Sequence, residues 1–348
     1  GVPACYRESS MRHVSLAVST LLLLLFAHGI ALSDERSQRH SDAGRTVRRE
    51  LTHADRERDY LLHLPSEMQT GKPVPLVIAL HGLSMDGRSM EWLTGFSKVS
   101  DDQGFVVAYP NGLNRMWRFW ERHELGERVL KEPGFVDDVG FLEAMIDELI
   151  ADGLVDGSRV YVTGHSNGAY MSNRLACSLS DRIAAIAPVA GTMVPALSGT
   201  TPPRAMPVLY IHGTNDHIVG FDGVDGFTKK KSSLTADELV EWWAGHNACL
   251  APHDPESLED TTDDQTRVVR CLHPACEDGA PVVFYKIDGA GHTWPGGALQ
   301  PQRFLGRTCH DINASAVIWE FFSEHTLPES AVVAQEPSQT RDDEAAGQ

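Results

Sequence analysis

The sequence predicts an α/β fold in which a mostly parallel, doubly wound sheet carries helices on both faces. Apolar runs of strand length alternate along the chain with segments of helical periodicity. The run at residues 75–82 is apolar up to its final His-Gly pair, which is typical of a parallel strand covered on both faces. A glycine-flanked serine motif at residues 164–168 joins a strand-like run to a helix-like run. These three observations place the chain in the α/β class.

The predicted elements alternate as such a sheet requires. Residues 138–150 are predicted as a helix because their apolar side chains recur at three-and-four spacing. Asp137 and Asp138 stand at its start, where carboxylates cap free amides. Residues 251–267 are rich in Asp, Pro and Thr and are predicted as a surface loop. The full order is strands at 58–65, 75–82 and 104–110, a helix at 138–150, a strand at 159–163, a helix at 169–177, strands at 183–189 and 208–213, a helix at 234–246, a strand at 282–287 and a helix at 312–325.

The charge and the two ends of the chain limit its partners and location. A formal net charge of −18 in 348 residues argues against a nucleic-acid-binding surface. Residues 11–33 have a basic start, an apolar centre and small residues near their end, which predicts a secretory signal peptide. A membrane anchor is the alternative, but His28 and Gly29 leave the apolar run short for a span. We therefore expect a secreted, extracellular protein (or a periplasmic one) that has no membrane attachment after signal cleavage. Composition further predicts a flexible leader at residues 34–45 and a disordered acidic tail at residues 327–348.

The cysteines agree with export. The chain has six, and in an exported protein they suggest disulfide bonds. Cys5 precedes the predicted signal peptide, and Cys177 lies in an apolar helical run where a buried free thiol is expected. Cys271, His273 and Cys276 could also bind a metal ion, but a second pair of ligands is lacking. We therefore expect no metal site.

The motif at residues 164–168 reads Gly-His-Ser-Asn-Gly. A G-x-S-x-G pattern between a strand and a helix is the nucleophile elbow of α/β-hydrolases. Ser166 would occupy a sharp turn with strained backbone angles, for which Gly164 and Gly168 leave room. The helix behind the serine would direct its free amides towards an oxyanion. We predict that Ser166 is a catalytic nucleophile.

A serine hydroxyl needs a positioned base, and that base needs an orienting carboxylate. In α/β-hydrolases the three residues follow the order Ser, Asp or Glu, His. Asp216 and His292 satisfy this order, and each lies just past the end of a predicted strand. We predict that they are the acid and the base. Asp222 and Asp225 are alternative acids, but they lie farther from the strand end.

A tetrahedral intermediate also requires amide donors. The backbone amide of Asn167, directly after the nucleophile, is predicted to be one of them. We expect the second to be the amide of Leu83, in the loop after an early strand, with Gly82 allowing close approach. His81 in the same loop and Trp294, two residues beyond the predicted base, are predicted to contact the substrate. Trp117 and Trp120 are further candidates for such a pocket, with a core position as the alternative.

Seven segments together resemble one known group of enzymes, the secreted polyhydroxybutyrate depolymerase and feruloyl esterase family of α/β-hydrolases. The segments are residues 80–82, 109–112, 136–141, 164–168, 212–216, 291–297 and 311–314. The resemblance keeps the order of the motifs and extends over residues 46–326, which implies one α/β-hydrolase catalytic domain there. Within it, the nucleophile, acid and base of the family would fall on Ser166, Asp216 and His292.

The resemblance implies a serine esterase that forms an acyl-enzyme and uses no metal or organic cofactor. Its substrates would be polymeric hydroxyalkanoates, or hydroxycinnamoyl and acetyl esters of plant polysaccharide. The resemblance also implies a disulfide between Cys249 and Cys276. Cys271 and Cys309 depart from the family's pattern; a second bridge between them is one alternative, and their pairing stays open. A peptidase of the prolyl-oligopeptidase type shares the triad and the fold, and a catalytically inactive binding protein is the alternative outside enzymes. The sequence leaves the oligomeric state open.

Overall fold

The structure, a computed structural model, describes residues 44–68, 71–120, 136–274 and 276–328. The predicted signal peptide at residues 11–33 lies outside these ranges, as do most of the predicted leader and tail. Within the described part of the chain, none of the helices combines the length and the apolar character needed to cross a bilayer.

The described strands form one ten-stranded sheet. In chain order they are β1 (Arg45–His53), β2 (Arg56–Leu64), β3 (Val74–Leu80), β4 (Val106–Pro110), β5 (Val155–His165), β6 (Ala185–Val189), β7 (Val208–Gly213), β8 (Glu256–Ser257), β9 (Arg267–His273) and β10 (Val282–Asp288). Their spatial order is β1-β2-β4-β3-β5-β6-β7-β10-β9-β8. The neighbours from β4 to β10 are parallel, and β1, β2, β9 and β8 pair antiparallel at the two edges. The mostly parallel sheet predicted from the sequence is confirmed.

Helices cover both faces of this sheet. They are α1 (Gly87–Thr94), α2 (Phe96–Gln103), α3 (Asp138–Ala151), α4 (Asn167–Ser178), α5 (Ala236–His246), α6 (Gln302–Leu305) and α7 (Ala314–Ser323). One apolar core packs α3, α4 and α5 against the sheet, and the other packs α1, α2 and α7 against the opposite face. Side chains of β3 alternate between the two cores: Ile78 belongs to the first and Ala79 to the second. This double burial explains why the central strands are apolar throughout.

The two carboxylates at the start of α3 have different roles. Asp137 caps the helix as predicted, because it accepts the amide of Gly140 at 3.0 Å. Asp138 is buried and pairs with the buried guanidinium of Arg58 at 2.7 Å. Burial raises the pKa of the Asp138 carboxyl, although Arg58 opposes the rise. Its other oxygen accepts the amide of Arg118 at 2.8 Å, so this ion pair also anchors the chain after β4.

Three features of the fold differ from the predicted element order. Edge strand β1 carries four charged side chains among nine residues and alternates between exposed and half-buried positions, so it lacks an apolar signal. Strand β9 begins at Arg267, where the predicted surface loop ends, and pairs with β10. Leu327, the first residue of the predicted tail, is buried and donates its amide to Ser158 at 2.8 Å.

The cysteines form one bridge within the described residues. Cys249 and Cys276 are joined, as the resemblance implied. The second bridge that the sequence left open is absent from the described part of the chain, because Cys271 and Cys309 are both free there. They pack in the two different cores, on opposite faces of the sheet, and therefore cannot meet. Since Cys276 is oxidised, its thiolate is also not available for the metal site considered above.

We expect the Cys249–Cys276 bridge to stabilise the domain, because it closes a loop with a sequence separation of 27 residues. Replacing both cysteines with alanine should lower the free energy of unfolding by about 3.5 kcal/mol, as estimated from loop-closure entropy. Urea unfolding of the double variant checks this. Cys177→Ala, which removes a free thiol, is the control. A double variant as stable as the wild type would contradict the expectation.

Candidate active site

The chain turns sharply at Ser166, between the end of β5 and the start of α4. Ser166 has φ 57° and ψ −116°, a combination that L-residues rarely adopt. Its amide donates to Val189 at 3.0 Å, and its carbonyl accepts the amides of Ala169 and Tyr170. The strained turn predicted from the motif is present.

The two glycines of the motif have no space for a side chain. A Cβ atom on Gly164 would lie 2.3 Å from the carbonyl oxygen of Gly168. A Cβ atom on Gly168 would lie 2.2 Å from the carbonyl oxygen of Leu80, at the end of β3. The start of α4 therefore packs against β5, the strand that precedes it, and against the adjacent strand β3. This packing brings Ser166 to the carboxyl end of the central strands, where sites of doubly wound sheets form.

Asp216 and His292 form a hydrogen-bonded pair past the ends of the adjacent strands β7 and β10. Nδ1 of His292 lies 2.7 Å from Oδ2 of Asp216, and both side chains are buried. The other oxygen of Asp216 accepts the amides of Ile218 at 2.8 Å and Val219 at 2.9 Å. Burial alone would raise the pKa of the Asp216 carboxyl, but the contact with His292 and the other donors outweigh it and lower the pKa. The carboxylate is therefore ionised and faces the imidazole.

This pair fixes the proton arrangement of His292. An ionised carboxylate only accepts, so Nδ1 carries the hydrogen and Nε2 of the neutral ring is a proton acceptor. The His292 ring lies 4.8 Å from the ring of His165, the residue before Ser166. In the described part of the chain, the hydroxyl of Ser166 makes no hydrogen bond. Contacts between nucleophile and base are often open before substrate binds.

The alternative acids have local roles. Asp222 accepts the amide of Val224 at 3.0 Å, and Asp225 accepts the amides of Phe227 and Thr228. These bonds shape the turns in which the two residues lie. Asp216 alone of the three is paired with a histidine among the residues that the structure describes.

The two predicted amide donors have no acceptor among the residues that the structure describes. Within the described ranges, neither the amide of Asn167 nor that of Leu83 donates to a protein acceptor. The side chain of Asn167 accepts the amide of Trp117 at 2.7 Å, which holds the chain after β4 against the elbow. Next to Leu83, Ser84 has φ 66°, and its amide donates to Arg115 at 2.8 Å. Both loops are thus fixed by their neighbours while the two amides stay available.

His81 and Trp294 lie inside the protein. His81 donates from Nδ1 to the carbonyl of Gly82 at 2.8 Å and accepts the amide of Gly112 on Nε2 at 3.0 Å. Burial lowers the pKa of His81 to about 4, so the ring is neutral in this role. The indole of Trp294 is buried and donates to Ser315 at 3.2 Å. Direct contact with the substrate stays a prediction for both residues; the observed contacts support the loops around the site.

His165 is a feature that sequence reasoning missed. Its ring is buried, and both ring nitrogens lack a hydrogen-bond partner within the described chain. Burial lowers the pKa of His165 to about 3, and the nearby His292 adds to this effect. The motif left its second position undefined, and only the fold reveals that this position lies against the predicted base.

Comparison with known proteins identifies the family. A family model described as phospholipase/carboxylesterase matches residues 67–249. NocK of Nocardia uniformis subsp. tsuyamanensis, a protein named as an esterase, is 31% identical over 290 residues, which cover 79% of this chain and 82% of NocK. This chain belongs to the phospholipase/carboxylesterase family. It is therefore an ester hydrolase.

Further proteins that are similar to this carboxylesterase have esterase names. Feruloyl esterase C of Emericella nidulans is 27% identical over 274 residues, which cover 76% of this chain and 83% of that enzyme. The solved structure of an acetyl xylan esterase from Aspergillus awamori matches with a TM-score of 0.53 and 17% identity. The match covers 80% of this chain and 99% of the other, and it confirms the fold. The predicted membership of an esterase family of α/β-hydrolases is confirmed.

An aromatic cluster lies beside the elbow of this carboxylesterase. Phe119 stacks on Tyr170, four residues after Ser166, with ring centroids 4.8 Å apart. Trp120 packs edge-on against Phe119 at 5.0 Å. All three side chains are half-buried, whereas Trp117 is fully buried and donates to the carbonyl of His81. Of the two tryptophans considered from the sequence, Trp117 is therefore a core residue.

One group of residues in the described ranges has the spacing of a metal site: Asp264, Cys309 and Asp311. Asp311 accepts the amides of Thr261 and Thr262, and Asp264 accepts those of Thr266 and His310. These bonds already use the carboxylates to join two loops. The group is therefore explained by its structural contacts.

The buried neutral histidines predict acid sensitivity. The pKa values of His165 (about 3) and His81 (about 4) lie below the value of about 6.5 expected in the unfolded chain. Below pH 6.5 the unfolded state therefore binds more protons, and the free energy of unfolding falls as the pH falls. His165→Leu removes one of these groups without removing a hydrogen bond. Between pH 6 and 4 this substitution should reduce the slope of the free energy of unfolding against pH by up to about 1.4 kcal/mol per pH unit.

Urea unfolding at half-unit steps over this range measures the slope for the wild type and the variant. An identical slope for the two proteins would show that His165 takes up its proton in the folded state.

Proposed function

We propose that the protein is an exported serine carboxylesterase that cleaves hydroxycinnamoyl or acetyl esters of plant polysaccharide. The observation that carries this proposal is the buried His292–Asp216 pair, 2.7 Å from atom to atom, beside the strained Ser166. In this proposal Ser166 is the nucleophile, His292 the base and Asp216 the acid. The three residues follow the chain order of α/β-hydrolase triads.

The chemistry would proceed in two steps. In the first, the hydroxyl oxygen of Ser166 attacks the ester carbonyl while Nε2 of His292 takes its proton. The imidazolium, stabilised by Asp216, then gives this proton to the departing alkoxide, and the acyl group stays on Ser166. In the second step, water attacks the acyl-enzyme with His292 again as base, which releases the acid and restores the serine hydroxyl.

The amides of Asn167 and Leu83 would bind the oxyanion of each tetrahedral intermediate. Both lack an acceptor among the described residues, and Asn167 is the first residue of α4. The first amides of a helix are unpaired and carry its positive dipole end, which favours a developing negative charge. Loss of one such donor typically costs about a hundredfold or more in kcat.

The acyl group is assigned from the relatives and from the aromatic cluster. The similar proteins include an enzyme named feruloyl esterase and one named acetyl xylan esterase. The half-buried rings of Phe119, Trp120 and Tyr170 offer faces on which a hydroxycinnamoyl ring could stack. Polymeric hydroxyalkanoate is the other substrate implied by the resemblance, and the experiment below compares the two. Membership of a carboxylesterase family favours ester over peptide hydrolysis.

Two observations support the proposed export. Residues 11–33 have the composition of a signal peptide, and the Cys249–Cys276 disulfide suits an oxidising compartment. We propose that the mature protein comprises the catalytic domain at residues 46–326, with a leader at 34–45 and a tail from 327. It would bind its ester substrate without a metal or organic cofactor and without nucleic acid.

A substrate panel tests the proposal. The wild-type protein should hydrolyse methyl ferulate or acetylated xylan with a kcat/KM at least about tenfold above that for hydroxybutyrate oligomers, because pocket fit discriminates acyl groups by such factors. Peptides that contain proline should be cleaved more slowly than any of these esters. Faster hydrolysis of the oligomers would assign the enzyme to polyester degradation, and faster cleavage of the peptides would assign it to the peptidases.

The control separates catalysis from contamination. Ser166→Ala should lower kcat on the preferred ester at least about a thousandfold while the protein stays folded. Ser178→Ala, an exposed serine on the same helix, should keep wild-type activity. Ester hydrolysis retained by Ser166→Ala would contradict the proposed nucleophile.

A further inference from the structure

A buried histidine outside the proposed triad lies directly behind the catalytic acid. His212 is in β7, four residues before Asp216, and is 1% exposed. Its Nδ1 lies 2.6 Å from the hydroxyl of Tyr210, and its Nε2 lies 2.9 Å from the carbonyl oxygen of Val219. Both ring nitrogens are therefore engaged within the protein.

These partners determine the tautomer of His212. A carbonyl oxygen only accepts, so Nε2 must carry the hydrogen and donate it to Val219. Nδ1 of the neutral ring then accepts the hydroxyl hydrogen of Tyr210. Burial lowers the pKa of His212, which keeps the ring neutral despite the nearby Asp216. The N–H group consequently has a fixed direction.

That N–H group closes the loop that holds the acid. Oδ1 of Asp216 accepts the amides of Ile218 and Val219, while the carbonyl of Val219 accepts from His212. Nε2 of His212 also lies 3.5 Å from Oδ2 of Asp216, the oxygen that is bonded to His292. The distance is too long for a good hydrogen bond, but the positive end of the N–H dipole faces a buried carboxylate.

We propose that His212 is a positioning residue of the esterase: it fixes the loop of residues 216–219 and places a second N–H dipole against the oxygen of Asp216 that orients His292. This inference rests on the proposed triad. His212 itself does not contact the substrate in this account. It acts through Asp216, whose position and basicity it sets.

The surroundings of His212 contain few other charges. The titratable groups that face it are Asp216 and His292 from the strand-end loops, His165 from the elbow, and Tyr210 from its own strand, which in turn lies near Tyr170. Phe221 packs edge-on against the ring of His212 at 5.9 Å. The amine of Lys286, which is the register partner of His212 on β10, lies over the ring of Phe221 at 5.0 Å. All of these groups remain when His212 is replaced.

Replacement of His212 should change both rate and pH dependence. His212→Leu removes the N–H group and releases Val219, so kcat for p-nitrophenyl butyrate should fall about tenfold while KM stays within about twofold. Asp216 would also lose the partial positive charge of the neighbouring N–H group. Its carboxylate would therefore stabilise the imidazolium of His292 more strongly. The acidic limb of kcat/KM should therefore move to higher pH, by roughly 0.5 unit.

Two milder variants keep the inference testable if His212→Leu does not fold. His212→Gln retains an N–H donor of similar reach and should recover at least half of the lost rate on a logarithmic scale. Tyr210→Phe removes the hydroxyl that polarises the imidazole, so it should shift the acidic limb in the same direction by a smaller amount. His63→Gln serves as the matched control, because His63 is a buried histidine of β2 whose Nε2 lies 3.2 Å from Oδ1 of Asp101 in α2. It should leave both kcat and the acidic limb unchanged.

The outcomes are distinct. The inference is supported if the acidic limb moves up in His212→Leu or Tyr210→Phe and the rate is rescued in His212→Gln. It is overturned if the acidic limb stays fixed in these variants, or if His212→Gln and His212→Leu lose rate equally, because a merely structural role would produce that result. Failure of the proposed function would appear separately, as p-nitrophenyl butyrate hydrolysis that persists in Ser166→Ala.

Discussion

The left-handed backbone of Ser166 is the constraint on which the rest of the site depends. A conformation of this kind costs about 1–3 kcal/mol and persists only where its surroundings leave no alternative. Here the amide of Ser166 is bound by β6, and its carbonyl accepts two amides of α4. Gly191 adds a third close approach, since a Cβ atom there would lie 2.6 Å from the carbonyl oxygen of Ser166. Contacts with β6, with α4 and with the segment after β6 therefore hold Ser166 in its strained conformation.

The sheet order explains how distant residues meet at this turn. The elbow follows β5, whereas the acid and the base follow β7 and β10, which are adjacent parallel strands. Since parallel strands end at the same edge, the loops after them converge there. His165 and His212 occupy the buried side of this edge, next to His292 and Asp216 respectively. The proposed triad thus lies on a layer of neutral imidazoles, which adds no positive charge to compete with His292.

The sequence predicted the central sheet, the turn at Ser166 and the pairing of Asp216 with His292, because each rests on a local pattern at a strand end. It missed β1, whose exposed side chains lack an apolar period. It also left the pairing of Cys271 with Cys309 open, because the face of the sheet that each residue occupies follows from the fold alone. The sequence also did not predict the roles of His165 and His212. Their roles depend on what lies opposite each ring, and no spacing along the chain encodes that.

The most direct test of the central claim is covalent labelling of the nucleophile. The wild-type protein is incubated with a fluorophosphonate and digested, and the labelled peptide is identified by mass spectrometry. Because the strained elbow presents one serine to a buried base, we predict one label per chain, on Ser166, and a much slower reaction after His292→Ala. A label on another serine, or none in an enzyme that hydrolyses esters, would contradict the account.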